Sequence, residues 1–262
     1  MNKMTLSQEV HDAGQEVSSA TEATCPGILN SVLSRYVGWP LKVRSGCLVD
    51  RERSRSESFA SVIYAVPQAG TTPESEDIHA DNAAVIIDAC ESLDSEKFLA
   101  SYARIAKAKR LKKRPPPNLE MVPVQTTTLG IIFALRSTVP LDHIAEELVR
   151  LNTLTPGPEW PDMVVVATAG TVNYAAQFPG EAPSGDLLPP GPRPLDAYTP
   201  PMYIVTVMRP TGSYTFNRML GFLVGQLFFF SPGMRLPDFK QIFGRGVEAR
   251  HHRLRLSVQL EG

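Results

Sequence analysis

The stretch Ala83-Ala84-Val85-Ile86-Ile87-Asp88-Ala89-Cys90 is an apolar run interrupted by a single carboxylate near its end. Valine and isoleucine favour strands, and a run without polar alternation is typical of a strand that is buried on both faces of a sheet. Such a strand needs other elements to cover both faces. The stretch therefore predicts a central strand in an α/β or α+β domain.

Apolar side chains recur at helical or strand spacing along most of the remaining chain. A helix is predicted to begin at Asp94 or Ser95, in a sequence that resembles a capping box, and to end before Pro115. The mixed order of helices and strands predicts a mixed sheet flanked by helices. The other predicted elements are helices over 22–36, 141–151 and 215–230, and strands over 39–48, 59–66, 127–135, 163–168 and 202–208.

Composition divides the chain into a short terminus and one domain. Residues 1–20 are polar, which predicts a flexible N-terminus or a solvated helix, and residues 21–262 are predicted to form a single domain. The segment 178–201 is rich in proline and is expected to be a loop or a lid. Residues 50–57 and 68–77 are predicted to be further loops.

The charge balance and the cysteines indicate which partners and which cellular compartment to expect. The 26 Lys and Arg residues nearly cancel the 27 Asp and Glu residues, so a nucleic-acid partner has to be sought in local patches. Three cysteines without CxxC spacing indicate neither a disulfide framework nor a zinc site, and no signal peptide or membrane span is recognised. We therefore expect a cytoplasmic protein that has no membrane partner.

The element order resembles the restriction-endonuclease-like core of the PD-(D/E)xK nucleases. More closely, it resembles an uncharacterised bacterial family that is often encoded near defence genes. The resemblance rests on a helix ending at Tyr36, strands over 43–49 and 60–64, a strand that ends near Asp88, and a further helix. It covers roughly residues 20–230 through strand order and apolar pattern. It implies a restriction-endonuclease-like mixed sheet flanked by helices.

The active site that this resemblance implies is degenerate. The family chemistry uses a carboxylate on one strand and Glu-x-Lys on the next, because Mg²⁺ prefers oxygen ligands and the lysine stabilises charge. Here the strand 60–65 has alanine in place of the metal-binding aspartate, Asp88 stands at the Glu position and Cys90 replaces the lysine. Glu22 matches the acid of the preceding helix. No metal or other cofactor is therefore expected, and the protein is interpreted as a non-catalytic nuclease-like protein.

An alternative interpretation keeps an active, metal-dependent nuclease with a rearranged site. In it, Asp88 and Glu91 hold Mg²⁺ and Lys97 substitutes for the lost lysine, while Asp77 and Asp81 are nearby acids that could contribute. A third interpretation is a structural subunit of a complex that docks a partner through the segment 178–201.

A basic run, Arg104-Ile-Ala-Lys-Ala-Lys-Arg-Leu-Lys-Lys-Arg114, closes the helix that follows the central strand. Clustered cations contact nucleic-acid phosphates, but they also complement the dipole at a helix C-terminus. The run contains no aromatic residue for base stacking. The predicted function is binding of nucleic acid or a partner protein in bacterial defence, with these candidate nucleic-acid contacts: Lys107, Lys109, Arg110, Lys112, Lys113 and Arg114.

Overall fold

The computed structural model describes residues 6–21, 24–37, 40–66, 77–113, 128–177, 202–209, 214–230 and 252–254. Within these ranges the chain forms five α-helices and nine β-strands. The helices are α1 Leu6–Ser18, α2 Cys25–Tyr36, α3 Ser95–Lys109, α4 Leu141–Asn152 and α5 Tyr214–Phe230. The strands are β1 Leu41–Val49, β2 Arg55–Ala65, β3 Asp77–His79, β4 Ala83–Leu93, β5 Leu129–Ser137, β6 Met163–Val166, β7 Gly170–Gln177, β8 Met202–Met208 and β9 His252–Leu254.

The strands form one mixed sheet in the order β3-β1-β2-β4-β5-β6-β7-β8-β9. The central strands β4, β5 and β6 run parallel to one another. Antiparallel pairs extend the sheet on both sides, through β2 and β1 on one side and through β7, β8 and β9 on the other. The predicted mixed sheet flanked by helices is thus confirmed, with the stretch 83–90 inside a central strand.

Helices cover both faces of the sheet. We call the face that packs against α1, α2 and α5 the α2 face, and the face that packs against α3 and α4 the α3 face. The strand β5 shows why both are needed, because Ile131 and Phe133 are buried on the α2 face whereas Ile132 and Ala134 are buried on the α3 face. Alternate side chains of a strand point to opposite faces, so an unbroken apolar strand requires a helical layer on each side.

Helix α1 occupies most of the segment 1–20, for which the sequence predicts a flexible terminus or a solvated helix. Ala13 and Val17 are one helical turn apart, and both are buried in the core of the α2 face. Helix α1 packs against α2 and α5, and Glu16 forms an ion pair with Arg35 of α2. These two core side chains stand in a polar segment, and composition alone does not reveal that such a helix is packed.

The hairpin between β1 and β2 is shorter than the predicted charged loop over 50–57. Strand β2 already begins at Arg55, and the turn is organised by the buried side chain of Asp50. Asp50 Oδ1 accepts hydrogen bonds from the backbone N–H groups of Glu52 and Ser54, both at 2.9 Å. Arg53 at the turn has φ 63°, a left-handed conformation that is uncommon outside glycine.

Strand β7 was not anticipated from the sequence. Its start requires glycine, because Gly170 has φ 138° and a Cβ there would lie 2.0 Å from the carbonyl oxygen of Met208. Val172 and Tyr174 are buried on the α3 face. The polar residues Thr171 and Asn173, which alternate with them along the strand, are also buried. The predicted loop at 178–201 lies outside the described residues, and of the predicted loop at 68–77 only Asp77 is described, as the first residue of β3. No helix among the described residues is long and apolar enough to span a bilayer.

A buried ion pair fixes the end of α3 to the centre of the sheet. Lys109 Nζ lies 2.7 Å from Asp162 Oδ2 and donates to the carbonyl oxygen of Trp160 at 2.5 Å. The same carboxylate oxygen accepts the N–H of Gly130 at 2.7 Å. Gly130 allows this close approach, since a Cβ there would lie 2.3 Å from Ile105 of α3.

We expect Lys109→Met to lower the free energy of unfolding by about 3–5 kcal/mol, because it leaves the Asp162 carboxylate without its cation in a largely buried place. Chemical denaturation followed by circular dichroism measures this. Lys107→Met on the exposed side of the same helix is the control and is expected to change stability by no more than about 0.5 kcal/mol. Equal effects of the two substitutions would contradict a structural role for Lys109.

Candidate functional site

The candidate site is centred on Asp88, a buried carboxylate on the α3 face of β4. Ile86, two residues earlier on β4, is buried on this face, and Asp88 contacts α3 there. Arg104 Nη1 lies 2.9 Å from Asp88 Oδ1, and the Ser101 side chain also hydrogen-bonds to the carboxylate. Ser101 and Arg104 are three residues apart, so the helix presents both toward the strand.

A second carboxylate meets the same guanidinium. Glu57 of β2 places Oε2 3.4 Å from Arg104 Nε. The exposed side-chain fraction rises from 7% for Asp88 through 31% for Arg104 to 59% for Glu57, so the three groups lead from the interior to solvent. The site therefore consists of two carboxylates bridged by one guanidinium.

Burial is the main influence on the ionisation of Asp88. Burial raises the pKa of Asp88, and the nearby Glu57 charge adds to this. The Ser101 hydrogen bond and the Arg104 guanidinium act in the opposite direction without cancelling the effect of burial. Without the guanidinium the carboxylate would lose its main compensating charge.

Strand pairing and position along β4 show which residues lie next to Asp88. Ser61 of β2 pairs with Ile87 of β4, which brings Ala60 alongside Asp88. Cys90, two residues beyond Asp88, packs beside the core of the α3 face. The neighbouring positions thus offer a methyl group and a thiol, and neither can act as a hard oxygen ligand or a lysine cation.

The residues of the rearranged-site alternative do not come together. Glu91 is three residues beyond Asp88 on the strand, and it raises the pKa of Cys25, which is buried on the α2 face. Burial is the larger cause of that shift, which takes the Cys25 pKa to about 11. Lys97 is exposed in the first turn of α3. Glu22 lies outside the described residues.

Among the described residues, each acid that the rearranged-site interpretation names contacts an arginine instead. Besides Asp88, the pairs are Asp77 with Arg55 at 2.8 Å, Asp81 with Arg51 at 2.7 Å, and Glu91 with Arg136. Among the described residues, no group of three or more His, Cys, Asp and Glu side chains is arranged to hold a metal ion. The residues around Asp88 therefore do not fit a Mg²⁺ site of the nuclease kind.

Two of the basic candidates make contacts within the fold. The side chain of Lys109 is 2% exposed and serves the Asp162 pair described above. The ammonium group of Lys113 donates to the carbonyl oxygen of Ala83 at 2.8 Å and contacts Thr128. Burial lowers the pKa of Lys113 to about 7, and the Lys109 charge adds to the shift while Asp81 opposes it. These two lysines hold α3 and its C-terminal extension against the sheet.

The remaining described candidates are on the surface. Arg110 pairs with Glu159 at 2.6 Å and Lys112 pairs with Glu52 at 2.5 Å, with cation side chains 61% and 69% exposed. Lys107 is also exposed. Arg114 lies outside the described residues. The basic run is thus divided, with part of it structural and part of it facing solvent.

Three residues of the site were missed as members of it. In the sequence, Glu57 lies in the predicted loop over 50–57, Arg104 belongs to the basic run, and Ser101 is part of no recognisable motif. The one available signal was the spacing of Ser101 and Arg104 on the helix that directly follows the motif strand. That spacing places both side chains on one face of α3 but does not identify the strand beneath them.

The sheet order, with helices on both faces, defines a restriction-endonuclease-like fold, and comparison with solved structures supports it. The chain resembles NucC of P. aeruginosa ATCC27853 in its cAAA-bound form, with a TM-score of 0.55 over 92% of this chain and 98% of that one, at 15% identity. It also resembles NucC of E. coli MS115-1 in its cAAA-bound form, with a TM-score of 0.51 over 66% of this chain and 80% of that one, at 15% identity. No family model and no curated protein matches the sequence.

The lowered pKa of Lys113 predicts a measurable pH dependence of stability. Between pH 7 and about 10.4, the unfolded chain binds a proton on this lysine that the folded chain does not. The free energy of unfolding therefore contains a component that rises with pH across this window, by at most about 1.4 kcal/mol per pH unit. Denaturation of wild type and Lys113→Met at pH 7, 8 and 9 measures it. Equal pH slopes in the two proteins would refute the assignment.

Proposed function

We propose that this chain is a catalytically inactive, restriction-endonuclease-like protein that binds nucleic acid in the cytoplasm as part of bacterial defence. One observation in particular supports the proposed absence of catalysis. The Arg104 guanidinium lies between Asp88 and Glu57, at distances of 2.9 and 3.4 Å, in the part of the fold where a nuclease would need carboxylates available to a cation.

The chemistry supports this proposal. Hydrolysis in this class of nuclease depends on a hard cation that polarises the phosphate and activates water, together with a lysine that stabilises charge. Here Ala60 lies beside Asp88, and Cys90 stands at the lysine position. Catalytic groups of this kind act as a unit, so loss of several of them removes most of the rate enhancement.

The exposed half of the basic run supports binding. Lys107, Arg110 and Lys112 face solvent at the end of α3 and just beyond it. Ion pairs between exposed side chains contribute only about 0–1 kcal/mol, so the Glu159 and Glu52 partners can be exchanged for phosphate oxygens at little cost. Contacts of this type bind the nucleic-acid backbone without reading its sequence.

The defence context rests on the fold neighbours and is an association. The two solved structures described above are both NucC proteins, from E. coli and P. aeruginosa. A shared fold narrows the class of protein and does not assign its activity.

Catalysis is tested by incubating purified protein with linear DNA, supercoiled DNA and RNA in MgCl₂ or MnCl₂. We expect no cleavage above that of Asp88→Asn, because the carboxylates at the site are already bound to arginine. Cleavage by wild type that is lost in Asp88→Asn would overturn the proposal and restore the active-nuclease interpretation.

Binding is tested with the same nucleic acids by gel shift at several salt concentrations. The triple variant Lys107→Gln/Arg110→Gln/Lys112→Gln removes only exposed cations, and we expect weaker binding to every sequence and a salt slope that is smaller by about 2–3, close to one for each lost phosphate contact. The matched control is Arg150→Gln on α4, an exposed arginine far from the basic run in sequence. Lys109 and Lys113 are left intact because their replacement would test stability instead. Salt-independent or absent binding by wild type would redirect the search to a protein partner.

A further inference from the structure

A second group of cations lies at the end of the hairpin between β1 and β2. Arg51, Arg53 and Arg55 alternate there with Glu52 and Ser54, and all five residues are exposed. We call residues 51–55 the hairpin tip. In the sequence this segment is well separated from the basic run that closes α3, so the two are not recognisable as parts of one surface.

Two contacts join the hairpin tip to the exposed end of the basic run. Lys112 Nζ pairs with Glu52 Oε1 at 2.5 Å, although the two residues are 60 positions apart in sequence. The backbone N–H of Lys112 donates to Asp50 Oδ2 at 3.2 Å. Asp50 is buried and its other oxygen holds the turn, so both segments are attached to one fixed carboxylate. The cations of the two segments therefore lie side by side.

Arg53 differs from the other arginines of the hairpin tip in its charge environment. Arg51 pairs with Asp81 at 2.7 Å, and Arg55 pairs with Asp77 at 2.8 Å. Among the residues that the structure describes, no carboxylate lies within ion-pair distance of Arg53. Arg53 is thus an exposed cation that can meet a phosphate without first giving up an acid partner.

The backbone at Arg53 shows that the turn itself does not call for an arginine. Its φ of 63° is a conformation that glycine adopts without cost and that asparagine tolerates, whereas other side chains adopt it at a cost. A residue held in a sparsely populated conformation that its fold does not require points to a role of the side chain outside the fold.

We propose that the hairpin tip is the second half of the nucleic-acid surface, in which Arg53 contacts a backbone phosphate and Glu52 competes with phosphate for Lys112. This inference rests on the proposed nucleic-acid binding and extends it from one segment to two. The ligand chemistry is a row of phosphates, because both segments contribute cations and neither contains an aromatic residue for stacking on bases.

Glu52 acts in this surface as an internal competitor. The side chains of Glu52 and Lys112 are 59% and 69% exposed, so water screens their ion pair and the pair contributes little to stability. A phosphate is also an anion with oxygen acceptors, and it replaces the carboxylate at the Lys112 ammonium. The displaced carboxylate then lies close to the bound phosphates, and their repulsion lowers the affinity of the wild-type protein.

The test measures the affinity of the full chain for labelled duplex DNA, single-stranded DNA and single-stranded RNA by fluorescence anisotropy at several salt concentrations. We expect Arg53→Gly to bind at least about threefold more weakly at low salt, with a salt slope smaller by about 0.9 on duplex DNA and about 0.7 on single strands. Its melting temperature is expected to stay the same or rise, because glycine relieves the left-handed conformation. Glu52→Gln is expected to bind more tightly and with a steeper slope.

Matched variants separate these contacts from general changes in charge or folding. Ser54→Ala alters the same turn without altering its charge and is expected to bind as wild type does. Arg53→Lys restores a cation and is expected to keep the wild-type slope, while Arg53→Asn repeats the loss of charge with a second residue that tolerates the conformation. Glu96→Gln removes an exposed acid from the first turn of α3 and is expected to raise affinity less than Glu52→Gln.

The outcomes distinguish this inference from the proposed function. The hairpin contact is overturned if Arg53→Gly and Arg53→Asn bind with the affinity and salt slope of wild type, or if Arg53→Lys binds as weakly as Arg53→Gly. The competition is overturned if Glu52→Gln binds no more tightly than Glu96→Gln. Binding that the triple variant of the basic run loses and Arg53→Gly retains would leave the proposed function intact and reject the hairpin tip. A wild-type protein that binds no nucleic acid would reject both.

Discussion

The carboxylate of Asp162 holds the C-terminal end of α3 against the sheet. Its Oδ2 accepts the N–H of Gly130 in β5 and binds the ammonium of Lys109 at the last turn of α3. Because Gly130 has no Cβ, Ile105 can lie directly against the strand. Arg104 is five residues before Lys109, so this anchor determines where the guanidinium stands above β4. The candidate site is thus positioned by a contact that lies outside it.

Much of the fold could be predicted because its signals are local. The apolar run of β4 and the capping residue Asp94, whose side chain accepts the N–H of Lys97, are both readable within a few residues of sequence. The packing of helix α1 was harder to predict, since Ala13 and Val17, which face the core, lie in a polar segment. Strand β7 is rich in small residues, and its requirement for Gly170 depends on Met208, which is distant in sequence.

The residues of the candidate site also differ in whether the sequence could predict them. The positions of Ala60 and Cys90 near Asp88 could be predicted, since they are fixed by the pairing of β2 with β4 and by position along β4. Glu57 and Arg104 could not, because only the packing of α3 across β2 and β4 brings them to Asp88. The basic run shows the same dependence on packing: a lysine in a charged segment suggests solvent, yet Lys109 and Lys113 donate to carbonyl oxygens that are distant in sequence, those of Trp160 and Ala83.

The buried side chain of Asp50 has a mechanical consequence for this site. One carboxylate oxygen shapes the hairpin turn, and the other accepts the backbone N–H of Lys112 at 3.2 Å. The next residue, Lys113, reaches the carbonyl oxygen of Ala83, where β4 begins. The hairpin turn, the segment after α3 and the start of β4 are therefore joined by hydrogen bonds, so the hairpin tip is held to the strand that carries Asp88.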